Sequence, residues 1–164
     1  MKPADLLAGL LEFHREKLVL RQRHVAVAKQ VSHYNANNTY QYVINREDLH
    51  LSWLEAAIAE LGGTPQSVPE PKLPSLVRNE SYVSLVAQDA RDAGALVARW
   101  REGLDEISNA RQRNLLRVIL GETLEHKRFF EQIVAGREDV LGRRANGPAS
   151  PGTGDGVLAV RWIE

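Results

Sequence analysis

Apolar side chains recur every three to four residues in four stretches of the chain, the spacing of amphipathic helices. In the first, over about residues 4–31, they are Leu6, Leu7, Leu10, Leu11, Phe13, Leu18, Val25, Ala28 and Val31. Asp5 stands at its start, as an N-cap or as charge in the first turn. Asn35-Ala36-Asn37-Asn38 has turn composition, and Thr39 is the expected cap of a second helix over about residues 39–61. Gly62-Gly63 stops that helix. A third helix is predicted over about residues 79–107, capped by Asn79 or Ser81, and a fourth over about residues 110–135, with Gly136 beyond its end.

No strand pattern interrupts residues 1–136. Pro65, Pro69, Pro71 and Pro74 make residues 64–78 an extended connection, because proline cannot donate to a helix or sheet ladder. A loop of this length needs a reason in a compact domain, and travelling the length of a bundle supplies one. The short Ser108-Asn109 junction makes the last two helices antiparallel neighbours. The expected fold is all-α, a four-helix up-down bundle of two antiparallel hairpins joined by a long crossover, in residues 1–141. Residues 142–156 then have linker composition, and residues 157–164 are apolar and β-prone.

Composition narrows the partners. Apolar content of 43% and charged content of 26% are ordinary for a soluble domain. A formal net charge of zero removes the bulk electrostatic case for nucleic acid or an anionic membrane. The absence of cysteine excludes disulfides, thiolate metal sites and a cysteine nucleophile, and suits a reducing cytosol. No signal-peptide or membrane-spanning run is present, so a cytoplasmic location is expected. The sequons at Asn37 and Asn79 then read as chance matches, and the common nucleotide-binding and hydrolase motifs are missing.

The chemistry lies on the inward stripes. Glu47 and His50 form an E-x-x-H pair on the face of Val43, Leu54, Ile58 and Leu61. Glu122 lies on the stripe Leu115, Ile119, Phe129, Ile133, followed by Glu125 and His126. Asp89 lies on the stripe Tyr82, Val86, Ala93, Leu96, Trp100, and His14 on Leu7, Leu11, Leu18, Val25, with Glu12 and Glu16 pointing elsewhere. The separation from His14 to Glu47 equals that from Asp89 to Glu122, as in a repeated hairpin. Ionisable groups are seldom buried unless paired or bound to metal.

Around Glu47-Asp48-Leu49-His50-Leu51-Ser52-Trp53-Leu54 and the stop Leu61-Gly62-Gly63, the chain resembles the ferritin-like superfamily. This stretch looks like the second helix of a rubrerythrin-type hairpin, and the resemblance covers roughly residues 4–136. In that family two helices each give a Glu and two each give a Glu-x-x-His, and together these hold two metal ions. Glu47 and His50 match that motif, and Glu122 matches a Glu position. Three places depart from it. Glu125 stands where a His belongs, with His126 one position later; the first helix offers His14; and the third offers the shorter Asp89. The resemblance implies a metal site of Glu47, His50, Asp89 and Glu122, joined by His14 and by Glu125 or His126. Iron or manganese suits these donors, with Glu47 and Glu122 as candidate bridging ligands and O₂ or peroxide as the oxidant of a redox-active site. A homo-oligomer, dimer or larger, goes with this reading.

The residues by themselves leave a second reading open, a metal-free structural or interaction module whose inward charges form ion pairs. Asp89 then pairs with Arg21 or Arg91, His14 is a satisfied core or boundary histidine, and Glu47 and His50 are a helix-surface pair. His24 and His33 read as ordinary, and Trp53 and Trp100 as core or interface aromatics. Arg137, Arg143 and Arg144 complement the end of the fourth helix or are solvated. The tail has two readings. It folds back into a groove of its own bundle or a neighbour's, or it is a docking peptide for another protein. In the latter respect it loosely resembles the C-terminal peptides that send some ferritin-like cargo into encapsulin shells.

Overall fold

The structure, a computed structural model, describes residues 3–73, 76 and 81–142. Among them there are four long helices and no strand: α1 (Pro3–Ala28), α2 (Tyr34–Glu60), α3 (Val83–Arg101) and α4 (Ala110–Val134). The pairs His14–Glu55 and Arg21–Asp48 run in opposite senses along α1 and α2, so these helices are antiparallel. Lys17 meets Thr123 and His24 meets Phe130, so α1 and α4 run in the same sense. Contacts are dense inside the α1–α2 and α3–α4 hairpins and sparser between them. The described part of the proline-rich connection is neither helix nor strand, as its lost donors require. No helix among the described residues is long and apolar enough to cross a membrane.

Two apolar clusters fill the bundle. One is built on Leu10, Phe13, Leu54, Ile58, Leu96 and Ile119, the other on Val27, Tyr40, Val43, Val86 and Phe130. Each fully buried large side chain contributes about 1.5–3 kcal/mol. Between the clusters every long helix carries buried polar residues: Lys17 and His24, Glu47 and His50, Asp89, and Glu122, Thr123 and His126.

The helix boundaries differ from expectation at three places. α2 begins at Tyr34, with the His33 ring accepting from the Ala36 N–H at 3.4 Å, so Asn35–Asn38 is helix and Thr39 is not a cap. The reason is Asn37, whose Nδ2 donates to the carbonyls of Ala28 and Val31 and ties the end of α1 to the start of α2. α1 accordingly stops at Ala28. α3 stops at Arg101; Gly103 and a 3₁₀ turn, Leu104–Glu106, follow, burying Leu104 and Ile107 under the bundle. Asn109 caps α4 by accepting from the Gln112 N–H at 3.1 Å, and Ser81 accepts from the Val83 N–H at 3.2 Å. Asn79, Arg143, Arg144 and the predicted tail lie outside the described residues.

Candidate functional site

The heptad stripe of α1 reads Leu6, Leu10, Phe13, Lys17, Leu20, His24 and Val27, all buried. This stripe, rather than Leu7, Leu11, Leu18 and Val25, faces the core. It drives two ionisable side chains into the bundle, Lys17 and His24, both fully buried. The Lys17 ammonium donates to Glu47 Oε1 at 2.7 Å and to Thr123 Oγ1 at 3.2 Å. His24 Nδ1–H donates to Glu47 Oε2 at 2.8 Å. Both carboxylate oxygens of Glu47 are thus engaged. Burial alone would raise the Glu47 pKa, but the charges of His24 and Lys17 and the His24 hydrogen bond reverse this and hold it well below the usual carboxylate range.

Glu122 forms a second centre. His50 Nε2–H donates to its Oε2 at 2.6 Å, while Arg46 reaches from the α2 face with Nη2 at 2.6 Å from Oε1 and Nε at 3.0 Å from Oε2. Burial is again outweighed by these donors, and the Glu122 pKa falls to about 2. His126 stacks on His50 at 6.0 Å between ring centroids. Burial first, then the Lys17 charge, pushes His126 well below the usual histidine value; His50 is also lowered, by burial. Three ring nitrogens in this layer are buried without a hydrogen-bond partner: His24 Nε2, His50 Nδ1 and His126 Nδ1.

Asp89 forms a third centre. Arg23 Nε donates to its Oδ1 at 2.6 Å, and the Tyr40 hydroxyl donates to its Oδ2. Its cationic partner is therefore Arg23, not Arg21, which pairs with Asp48, and not Arg91, which bonds Gln88. Burial raises both the Asp89 carboxyl and the Tyr40 hydroxyl.

The structure thus brings Glu47, His50, Glu122 and His126 into one polar layer, but gives each carboxylate its own cation. Asp89 bonds to none of the other predicted site residues, and His14, though buried, points to Glu55 at 3.4 Å. Glu125 is half-buried beside this layer. Among the described residues no three His, Asp or Glu side chains are grouped to hold one metal ion. Residue spacing did not reveal Lys17, His24, Arg23, Arg46, Tyr40 and Thr123 as members of these centres. The signal for two of them was present, because Lys17 and His24 are the polar positions in an otherwise apolar heptad stripe.

No family model matches the sequence, and no curated protein matches it. A solved structure does match, that of Desulfovibrio desulfuricans bacterioferritin, described with its diiron site in different catalytic states. It shares 18% identity over 93% of this chain and 98% of that one, with a TM-score of 0.63. At that identity the likeness speaks for architecture, and it agrees with the two hairpins, the long crossover and the strand-free core. By fold, the chain is a ferritin-like four-helix bundle.

Proposed function

We propose that this protein is a metal-independent ferritin-like bundle, a structural or interaction module whose central carboxylates are neutralised by amino-acid cations. The observation that carries the reading is Lys17, an ammonium with no solvent exposure, bound between Glu47 and Thr123. A buried carboxylate needs a counter-charge and filled lone pairs. Lys17 and His24 supply both for Glu47, Arg46 and His50 for Glu122, and Arg23 and Tyr40 for Asp89. A di-metal centre needs those same oxygens. The residues present do not fit one, because Lys17 and Arg46 would both have to leave, and each would then add a positive charge beside the incoming ions.

One observation favours the other reading, an iron- or manganese-handling site. His24, His50 and His126 keep unpartnered ring nitrogens in the layer that holds Glu47 and Glu122, and imidazole with carboxylate suits either metal. The fold neighbour is named for a diiron site, which supports iron over manganese in that reading. Elemental analysis decides between them. The protein is incubated anaerobically with Fe(II) or Mn(II), desalted and measured. The proposal expects metal well below one ion per chain in both cases. Two ions per chain, abolished by Glu47→Ala and Glu122→Ala, would sink it.

A further inference from the structure

We infer that a second copy of this chain docks on the face formed by α2 and α4, the two copies related by a twofold axis that crosses both helices at Trp53 and Val118. The charges on that face point to a copy rather than to another kind of partner. On α2, Arg46, Trp53 and Glu60 stand seven residues apart, and on α4 so do Arg111, Val118 and Glu125. A step of seven returns almost to the same face of a helix. Each helix therefore presents one line with a cation first, an apolar residue in the middle and an acid last. The Glu60–Arg111 pair at 3.0 Å and the Arg46–Glu122 pair at 2.6 Å set the two lines side by side and antiparallel, with Trp53 and Val118 at one level.

An isologous contact about this axis lays each helix against its own copy running the other way. Arg111 then meets the second copy's Glu125, and Arg46 lies opposite the second copy's Glu60. Glu125 is half-buried and has no hydrogen bond or ion pair among the described residues. Arg111 and Glu60 are paired within the chain, but at 75% and 47% exposure that pair is worth little, and both groups stay open to a second partner. Complementary charges of this kind fix the register of a contact more than its strength.

Between the charges the face is apolar. A cavity of about 430 Å³ is lined by Trp53, Ala56, Leu115 and Val118, and Val118 is 49% exposed. Leu49, 36% exposed, and the exposed Ala56 lie before and after Trp53 on the same edge of α2. The rotation therefore sets Leu49 of one copy beside Ala56 of the other, a large side chain over a small one. The groove between α1 and α3 lacks this symmetry. Its lines through Val19 and Ala95 hold Glu12 and Ala26, and Gln88 and Glu102, an acid at one end of each and no cation at the other.

Size sets the strength. From Arg46 to Glu60 the face is about 21 Å long, and two helices are about 20 Å wide. Roughly 400 Å² of each copy is less than the ~800 Å² of a standard stable interface, so the dimer is reversible, with a dissociation constant in the micromolar range. Such a dimer gives the interaction module a partner and rests on that reading only for its use; metal content and dimer formation are measured separately and fail separately.

Sedimentation equilibrium of the full-length protein from about 1 to 300 μM should show a reversible monomer–dimer equilibrium. Val118→Glu should weaken it at least about tenfold, by burying like charges at the axis, while Val19→Glu in the α1–α3 groove leaves it unchanged. Arg111→Glu should also weaken it, and Arg111→Glu with Glu125→Arg should regain affinity, because the exchanged charges again oppose each other across the axis. Arg111 is exposed, so these variants keep the fold, which far-UV circular dichroism checks. A protein that stays monomeric throughout, or a Val19→Glu variant weakened as much as Val118→Glu, would overturn the assignment of this face. A double variant no tighter than Arg111→Glu alone would overturn it too, since an axis parallel to the helices opposes Arg111 to Glu60 instead.

Discussion

The Lys17 ammonium is buried against Glu47 and Thr123. A buried ion pair is not a strong source of stability, because desolvation of both charges offsets much of their attraction. Removing one partner is costly all the same, since it strands the other charge away from water. Lys17→Met leaves Glu47 with His24 alone and leaves Thr123 without its donor. Urea unfolding should show a loss of about 3–5 kcal/mol for this variant. Adding Glu47→Gln should restore much of the loss, because the second substitution removes the stranded charge, and non-additivity of about 1–3 kcal/mol is expected between residues in contact. Strictly additive losses would mean that the two side chains do not depend on each other. On the other side of the layer, Tyr40→Phe removes the hydroxyl that Asp89 accepts from, and should cost about 1–3 kcal/mol.

At the scale of the helix, most of the fold was legible and its details were not. Gly62-Gly63 reads as a stop, and the structure gives the reason. Gly62 has φ +76°, its N–H donates to the Ala59 carbonyl at 2.9 Å, and the Gly63 N–H donates to the Ile58 carbonyl at 3.0 Å. This is the Schellman arrangement, and Gly136 repeats it at the end of α4 with φ +80°. Gly63 has a second constraint that no sequence pattern carries. A Cβ there would lie 2.5 Å from Leu7 Cδ1 and 2.9 Å from Ile58 Cγ2. Gly63→Ala should therefore destabilise by about 1–3 kcal/mol, the usual cost of overpacking, and an unchanged thermal midpoint would show that the α1–α2 contact yields freely. The misread end of α1 and start of α2 share a cause. Asn37 acts through contacts back to the end of α1 and the His33 ring caps α2 at its own first turn, where composition alone made Asn35–Asn38 look like the turn. The misread face of α1 has another. Its leucines occupy adjacent positions, such as Leu6-Leu7 and Leu10-Leu11, so two stripes competed, and the one carrying Lys17 looked less apolar. Glu47, His50 and Glu122 were legible as inward because their neighbours are unambiguous. Which cation each would meet was not, since Arg23, Arg46 and Lys17 approach from other positions or other helices.

At the scale of the molecule, the polar layer separates two apolar clusters, and its protonation should set the acid stability of the whole bundle. Glu47 and Glu122 are held below the unfolded carboxylate value of about 4.3, Glu122 at about 2, so their stabilisation is complete above about pH 5 and is lost as pH falls toward 2. His50 and His126 are lowered by burial, so they stay neutral in the fold while the unfolded chain takes up protons below about pH 6.5. Stability is therefore lost on that side as pH falls, before the carboxylates respond. Asp89 runs the other way, because a raised carboxyl is relatively stabilising at low pH, but it is one group against four. Urea midpoints should hardly move from pH 8 to 7, fall between pH 6.5 and 5, and fall again below pH 4.5. His126→Leu removes one of the two histidines and should flatten the upper step while leaving the lower one. The ring it replaces lies against His50 and Phe129, in a setting that already excludes water, so the apolar substitute is tolerated there. A wild-type midpoint that stays level from pH 8 to 5 would show that these histidines are not held neutral. The layer would then draw its acid sensitivity from Glu47 and Glu122 alone.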